Sequence, residues 1–246
     1  MTFPPTRLLV PSAVTETTYS ILVAPPEAGR ASGPWPVLVV LDADDQFAAA
    51  LDAYRALWAR GQGRALLLAG VGYGGSYRDP VNRRIRDYTP TRVATESESG
   101  GADAFHTFLR TELWPRLERE YPVSNDNPGL AGHSLGALFA LHALFRPQPF
   151  FTRVLASAPS LWWDERTLLP RVHALQREGA RLPARLFVGV GEEDTESMRS
   201  DLELLERQLR ESPFEDLRVT SARFPERDHF NVLPTAYQAG LRALYG

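Results

Sequence analysis

The segment Pro128-Gly-Leu-Ala-Gly-His-Ser-Leu-Gly-Ala-Leu-Phe-Ala-Leu-His-Ala-Leu144 decides the fold of this chain. A short apolar lead-in runs into Gly132-His-Ser-Leu-Gly136, and an apolar, helix-favouring run follows. This Gly-x-Ser-x-Gly pattern is typical of a strand, a sharp turn that carries a serine, and then a helix. The glycines let the strand and helix backbones pass close together. The segment therefore predicts that the Ser134 hydroxyl stands clear of the sheet, beside the first N–H groups of a helix.

Outside this segment, apolar β-branched runs alternate with amphipathic runs. Continuous apolar stretches at 36–41 and 65–71 are typical of strands buried on both faces. The alternation predicts an α/β fold with a mostly parallel central sheet, helices on both faces and an edge hairpin near the N-terminus. We expect strands at 7–10, 19–24, 36–41, 65–71, 154–157, 185–190 and 218–224, and helices at 45–60, 102–120, 164–178, 196–210 and 231–245.

Length and composition limit the class of protein. A chain of 246 residues favours one domain over 1–246, with the irregular, charged stretch 73–100 as an insertion on the substrate side. A net charge of -3 gives no indication of a nucleic-acid or membrane partner. Without a signal-peptide pattern or a membrane-length apolar run, we expect a cytoplasmic protein. The absence of cysteine excludes disulfides and a thiol nucleophile.

Two later loops carry the residue types that a nucleophilic serine needs. Glu192, Glu193 and Asp194 follow the strand at 185–190, and His229 follows the strand at 218–224. A serine hydroxyl attacks only when an imidazole takes its proton and a carboxylate holds that imidazole. The chain order is that of the Ser…Asp/Glu…His triad. We expect Ser134, His229 and Asp194 to be catalytic, with Glu192 and Glu193 as alternative acids.

A developing oxyanion needs two hydrogen-bond donors. We expect one to be the backbone N–H of Leu135, and the other the N–H of Ala43 or Asp44 after the strand at 36–41. The aspartates there also suit the cap of the helix that follows. The histidines show no metal-ligand spacing, and the glycines at 70, 72 and 75 do not open a helix as a dinucleotide site requires. We therefore expect neither a metal nor another cofactor.

Polar and aromatic residues in the loops near the strand ends are candidates for substrate binding. An arginine offers a planar fork for carboxylate or phenolate oxygens, and aromatic rings offer faces for stacking. The alternative is that the arginine is solvated and the tryptophans belong to the core. The candidates are Tyr73, Arg86, Tyr88, Trp162 and Trp163.

Four segments together resemble the putative-esterase family of α/β-hydrolases. They are the serine turn, Arg86-Asp-Tyr-Thr-Pro90, Gly100-Gly-Ala-Asp-Ala-Phe105 and Ser157-Ala-Pro-Ser-Leu-Trp-Trp163. Within that family the chain is most similar to trilactone-siderophore (enterobactin-type) esterases, from about residue 38 to its end. The resemblance implies a carboxylic-ester hydrolase and a substrate-binding role for Arg86. Ala43 departs from the pattern, because the family usually has glycine there.

Three functions follow as hypotheses. The first is a serine esterase that forms an acyl-enzyme and acts on a small-molecule ester, either a siderophore-type trilactone or another acidic or aromatic ester. The second is an acyltransferase on the same triad, which partitioning between water and added alcohol would separate from the first. The third is a non-catalytic binding module that keeps the fold.

Overall fold

The structure, a computed structural model, describes residues 4–26 and 32–246. Within these ranges eight strands form one sheet in the order β1-β2-β4-β3-β5-β6-β7-β8. The apolar runs at 36–41 and 65–71 are buried as predicted, and each strand with a predicted range lies within a few residues of it. The strands are β1 (Thr6–Ser12), β2 (Thr17–Ala24), β3 (Trp35–Val40), β4 (Leu67–Gly72), β5 (Val123–His133), β6 (Arg153–Ser157), β7 (Arg185–Gly191) and β8 (Arg218–Phe224).

The sheet changes its direction of growth between β3 and β5. β1 and β2 form the expected antiparallel hairpin at one edge, and β2 pairs antiparallel with β4. All remaining neighbours are parallel. The chain adds β4 on one side of β3 and β5 to β8 on the other, so the carboxyl ends of β3 and β5 adjoin a crevice. Open α/β sheets bind ligands at such a point.

Helices cover both faces of this sheet, as predicted. α1 and α9 pack together on one face, and the helices from α3 to α8 contribute to the larger core on the other. No helix in the two described ranges is long and apolar enough to cross a bilayer. The helices are α1 (Ala43–Ala59), α2 (Arg84–Tyr88), α3 (Ala102–Phe108), α4 (Trp114–Glu120), α5 (Leu135–Leu144), α6 (Trp163–Arg166), α7 (Leu168–Arg177), α8 (Glu196–Glu211) and α9 (Leu233–Tyr245).

Two expected helices are interrupted. Between α3 and α4 the chain makes a π-helical turn over Leu109–Leu113. This turn ends two residues before Pro115, whose nitrogen has no hydrogen to donate. The helix expected at 164–178 continues regularly only from Leu168, because Asp164, Glu165 and Arg166 have positive φ angles. The stretch 73–100, expected to be irregular, contains the short helix α2.

Candidate active site

Ser134 occupies the predicted turn between β5 and α5. Its φ of 59° and ψ of -121° belong to a region that residues other than glycine rarely adopt. The backbone N–H of Ser134 donates to the carbonyl of Ser157, at 3.0 Å, which ties the turn to the end of β6. A side chain at Gly132 would collide with the carbonyl group of Gly136. The turn therefore requires glycine at position 132, as the sequence pattern indicates.

Gly132→Ala is expected to lower the free energy of unfolding by roughly 2–4 kcal/mol, because the added methyl meets rigid backbone. Urea unfolding followed by circular dichroism measures the change. Gly63→Ala is the matched control, since a methyl there would meet only the Leu57 side chain at an ordinary distance of 3.8 Å. Equal stabilities for the two variants would contradict this account of the turn.

One imidazole joins the serine to an acid. His229 Nε2 lies 3.2 Å from Ser134 Oγ, and His229 Nδ1 lies 3.0 Å from Asp194 Oδ2. The other carboxylate oxygen of Asp194 accepts the backbone N–H of Thr195 at 2.7 Å, so this buried side chain is fixed on both sides. The three residues come from the ends of β5, β7 and β8.

The neighbouring acids lie elsewhere. Glu192 and Glu193 are exposed, whereas Asp194 is buried against the imidazole. The carboxylate of Asp228, next to the histidine in sequence, accepts the backbone N–H groups of Phe230 and Asn231 at 2.8 Å each. Of the acids that the sequence left open, the structure brings Asp194 to His229.

Two further side chains surround the serine and were not predicted. Ser160 Oγ lies 3.2 Å from Ser134 Oγ, and the Ser160 N–H donates to the Ser134 carbonyl at 3.2 Å. His133 is buried, with its ring centroid 4.6 Å from that of His229. Burial, together with nearby positive charge, lowers the pKa of His133 to about 3, so its ring stays neutral at ordinary pH. The only sequence signal for His133 is its place inside the serine motif.

Acid is expected to destabilise the fold through buried histidines. Burial lowers the pKa values of His133 and His106 to about 3, so the unfolded chain binds more protons between about pH 6.5 and 3. Stability is therefore lost as the pH falls through this window. We expect the titration of His133 to lower the free energy of unfolding by roughly 2 kcal/mol between pH 7 and pH 5. Urea unfolding at the two pH values measures the change.

His106→Leu provides the comparison for this effect. The ring of His106 is buried against Phe151, and its Nε2 has no hydrogen-bond partner among the described residues. Leucine removes that atom and its titration, so the stability lost between pH 7 and pH 5 should shrink by roughly 2 kcal/mol, the contribution of one such histidine. An unchanged difference between pH 7 and pH 5 would contradict the role of His106.

A cavity of about 310 Å³ opens beside the triad. Arg84 lies in its wall, and its guanidinium makes two hydrogen bonds of 3.0 Å with the buried carboxylate of Asp42. Phe230 is 85% exposed at the cavity, and its ring lies edge-on to that of His229. The lining residues are Asp45, Tyr77, Arg84, His133, Ser134, His229, Phe230 and Leu233.

None of the five side chains expected to bind substrate is among the described residues that line this cavity. Arg86 instead bonds the carboxylate of Asp87 at 2.7 Å and the hydroxyl of Thr17 at 2.9 Å, which ties α2 to the edge hairpin. Arg86 lies outside this lining but borders a neighbouring cavity together with Tyr77 and Arg84, so its expected role in substrate binding stays a prediction. The arginine that lines the cavity beside the triad is Arg84, two residues earlier.

The expected aromatic residues are mostly part of the core. Tyr73 is buried and donates its hydroxyl to Asp87 Oδ2 at 3.0 Å. Tyr88 is fully buried, and its hydroxyl accepts the backbone N–H of Asp42 at 3.1 Å. Trp163 is buried and its indole N–H donates to Thr91, whereas Trp162 is half exposed outside the cavity lining. Packing thus uses the rings of Tyr73, Tyr88 and Trp163. The interpretation that the tryptophans belong to the core holds for Trp163 but not for Trp162.

The expected oxyanion donors lie at two helix starts. Leu135 is the first residue of α5, and Ala43 and Asp44 are the first two of α1. Asp42 precedes them with a φ of 51° and turns the chain from β3 into the helix. The Asp44 carboxylate accepts the N–H groups of Tyr73 and Gly74, so it holds the following loop in addition to its place in the first helical turn. In the described ranges no group of three His, Asp or Glu side chains is arranged to hold a metal ion.

The strand order, the serine turn and the sequence order of the joined residues define an α/β-hydrolase. The chain belongs to the family described as "Putative esterase", whose profile matches residues 12–231. This is a family of carboxylic-ester hydrolases, and the chain is an esterase.

Several relatives have been characterised or solved. The chain is 28% identical to the ferri-bacillibactin esterase BesA of Bacillus subtilis, over 98% of this chain and 90% of that protein. It is 35% identical to the siderophore triacetylfusarinine C esterase of Aspergillus fumigatus, over 60% of this chain and 51% of that protein. The crystal structure of the BES protein from Bacillus cereus matches with a TM-score of 0.89 and 27% identity, covering 99% of this chain and 95% of that one.

Proposed function

We propose that the chain hydrolyses carboxylic esters through an acyl-enzyme on Ser134, with His229 as general base and Asp194 as the acid of the triad. One observation carries the proposal. The His229 ring lies between Ser134 and Asp194, with Nε2 3.2 Å from the serine oxygen and Nδ1 3.0 Å from the carboxylate. Both distances are within hydrogen-bond reach, as general-base activation of a nucleophile requires.

The first half of the reaction forms the acyl-enzyme. Ser134 Oγ attacks the ester carbonyl carbon while His229 Nε2 takes the hydroxyl proton. Asp194 accepts the Nδ1–H, which selects the tautomer with a free Nε2 and stabilises the imidazolium that forms. When the tetrahedral intermediate collapses, the C–O bond to the alcohol breaks, and the leaving oxygen receives the proton from Nε2. Water then repeats the sequence on the acyl-serine and releases the acid.

Backbone N–H groups stabilise the negative charge that develops on the carbonyl oxygen. The Leu135 N–H follows the nucleophile directly, and the N–H groups of Ala43 and Asp44 stand at the start of α1, next to Asp45 in the cavity wall. Within the described ranges Ala43 and Asp44 donate no backbone hydrogen bond, because the first turn of a helix leaves its N–H groups unpaired. Such fixed donors act without reorganisation as the charge develops.

We propose a siderophore-type trilactone, or another acidic or aromatic ester, as the substrate. The relatives named above are esterases of the siderophores bacillibactin and triacetylfusarinine C. The aromatic side chains of Tyr77 and Phe230, both exposed in the cavity wall, offer faces for ring stacking. The guanidinium of Arg84 lies over the Tyr77 ring, 4.7 Å from its centroid. These features favour a ring-bearing acyl group.

The test compares an enterobactin-type trilactone with a short acetyl ester of similar leaving group. We expect kcat/KM to be at least about 100-fold higher for the trilactone, since contacts remote from the reacting carbonyl add to transition-state binding. Product analysis by liquid chromatography identifies the released acid. Cleavage of the acetyl ester with no cleavage of the trilactone would retain the triad and reject the substrate class.

Phe230→Ala is expected to raise KM for an aromatic ester by about three- to tenfold through the loss of a stacking face, with little change for an acetyl ester. Steady-state kinetics on both substrates measures the ratio. Val219→Ala is the control, because Val219 is also exposed but lies on β8 outside the cavity. An equal rise for both esters would contradict a role for Phe230 in selecting aromatic groups.

A further inference from the structure

Three arginines form a row at the amino ends of the strands, at the opposite end of the sheet from the serine. Arg153, Arg185 and Arg218 are the first residues of β6, β7 and β8. They are paired in register, Arg153 with Arg185 and Arg185 with Arg218. Paired residues of neighbouring strands point to the same face about 4.8 Å apart. The three guanidinium groups therefore leave the sheet side by side, roughly 13 Å or more from its catalytic edge.

This row lines a groove made of two adjoining cavities. The first, of about 260 Å³, is lined by all three arginines together with Asn127 and Thr152. The second, of about 130 Å³, shares Asn127 and Arg153 with the first and adds Arg64 and Tyr245. We call the two together the arginine groove. Neither cavity contains a residue of the catalytic site.

The groove carries positive charge that the protein does not neutralise. In residues 4–26 and 32–246 none of its four arginines forms an ion pair. Two acids, Asp126 and Asp216, also line it, but Asp216 is paired with Arg181 at 2.6 Å. Burial and then the neighbouring arginines lower the pKa of Arg153. An anion in the groove would relieve this repulsion.

Buried polar atoms in the groove also lack partners. Tyr245 is only 5% exposed, and its hydroxyl makes no hydrogen bond within the described chain. The hydroxyl lies over Gly129, where a side chain would collide with it, and Gly129 is paired in register with Arg153. Thr152 Oγ1, in the first cavity, is likewise buried and unpartnered there. Unpaired buried polar groups are rare and indicate a missing partner.

We propose that the arginine groove binds a small polyanion that carries phosphate or carboxylate oxygens. Guanidinium forks pair with both groups through two parallel N–H···O bonds. The hydroxyls of Tyr245 and Thr152 add neutral donors to the same ligand. The site is independent of ester hydrolysis, since it stands at the amino ends of the strands and the triad stands at their carboxyl ends.

Isothermal titration calorimetry with inorganic pyrophosphate and with citrate, at fixed ionic strength, tests the proposal. We expect saturable binding of one anion per chain, weakened about 100-fold in Arg153→Gln/Arg185→Gln, or about tenfold for each charged hydrogen-bonding group lost. Arg207→Gln/Arg210→Gln removes the same charge from exposed positions on α8 and should bind like the parent. The tighter of the two probes identifies phosphate or carboxylate as the preferred chemistry.

Two milder variants keep the test valid if the double variant does not fold. Tyr245→Phe removes one buried hydroxyl, and Arg218→Gln changes an exposed residue of the row. Each should weaken the tighter probe several-fold to tenfold while ester hydrolysis is unchanged. The proposal is overturned if neither probe binds saturably at millimolar concentration, or if the α8 control loses as much affinity as the groove variants.

Discussion

Replacing Ser134 by alanine is expected to lower kcat for ester hydrolysis by about four to six orders of magnitude. The reason is that the hydroxyl 3.2 Å from His229 Nε2 is the nucleophile that forms the acyl-enzyme. Without it, the backbone donors and the cavity still bind the ester but form no acyl-enzyme. KM should change little, because the lost interaction belongs to the transition state. Steady-state kinetics with a chromogenic ester measures both constants.

Ser160→Ala is the matched control, because the Ser160 hydroxyl is buried and lies only 3.2 Å from that of Ser134. Its loss removes a hydrogen bond to the nucleophile but no bond-forming atom, so kcat should fall by less than about tenfold. A Ser160 variant as inactive as the Ser134 variant, or a Ser134 variant that keeps a tenth of its activity, would reject the assignment of the nucleophile.

The second large effect is expected at Asp194. Asp194→Asn preserves the shape of the buried side chain but presents an amide to His229 Nδ1, 3.0 Å away, which favours the wrong imidazole tautomer. We expect kcat to fall by about 10⁴. Glu192→Gln and Glu193→Gln remove exposed carboxylates from the same loop and should stay within about threefold of the parent. The three variants are compared by kcat on one ester.

A different ranking would identify another acid. If Asp194→Asn keeps kcat within about threefold while Glu192→Gln or Glu193→Gln costs far more, the loop must rearrange before catalysis. The fixed hydrogen bond from the Thr195 N–H to Asp194 Oδ1 argues against such a rearrangement, because it holds the carboxylate in the orientation that faces His229.

The strands of the sheet and the chain order of the serine, the acid and the histidine could be predicted because their sequence signals are local. A buried strand shows as a continuous apolar run, and a serine turn shows as glycines at fixed spacing, as around Ser134. The parallel sheet then requires that residues following successive strands meet at one edge, which brought Asp194 and His229 into the prediction. The sequence favoured Asp194 but left Glu192 and Glu193 as alternatives, and only burial and the contact with His229 Nδ1 separate it from them.

The position of Arg86 outside the lining of the serine cavity has a geometric cause. The segment 84–88 is a helical turn, and residues four apart on a helix share a face. Arg84 and Tyr88 therefore both contact Asp42, at the crevice, while Arg86 points to the other side and binds the edge hairpin. The family resemblance indicated the segment and an arginine within it, but not which side of a five-residue helix faces the cavity. Ser160 lies in the segment 157–163 that carries the family resemblance, but its place beside Ser134, like that of Phe230 beside His229, emerges only from tertiary contacts.

The most direct measurement of the central claim is covalent labelling by a fluorophosphonate, with the modified peptide identified by mass spectrometry. The account predicts one label per chain, on Ser134, formed at least about 100-fold more slowly in His229→Ala, because the imidazole must take the hydroxyl proton as phosphorus is attacked. A label on any other residue, or an equal rate in the His229 variant, would contradict it.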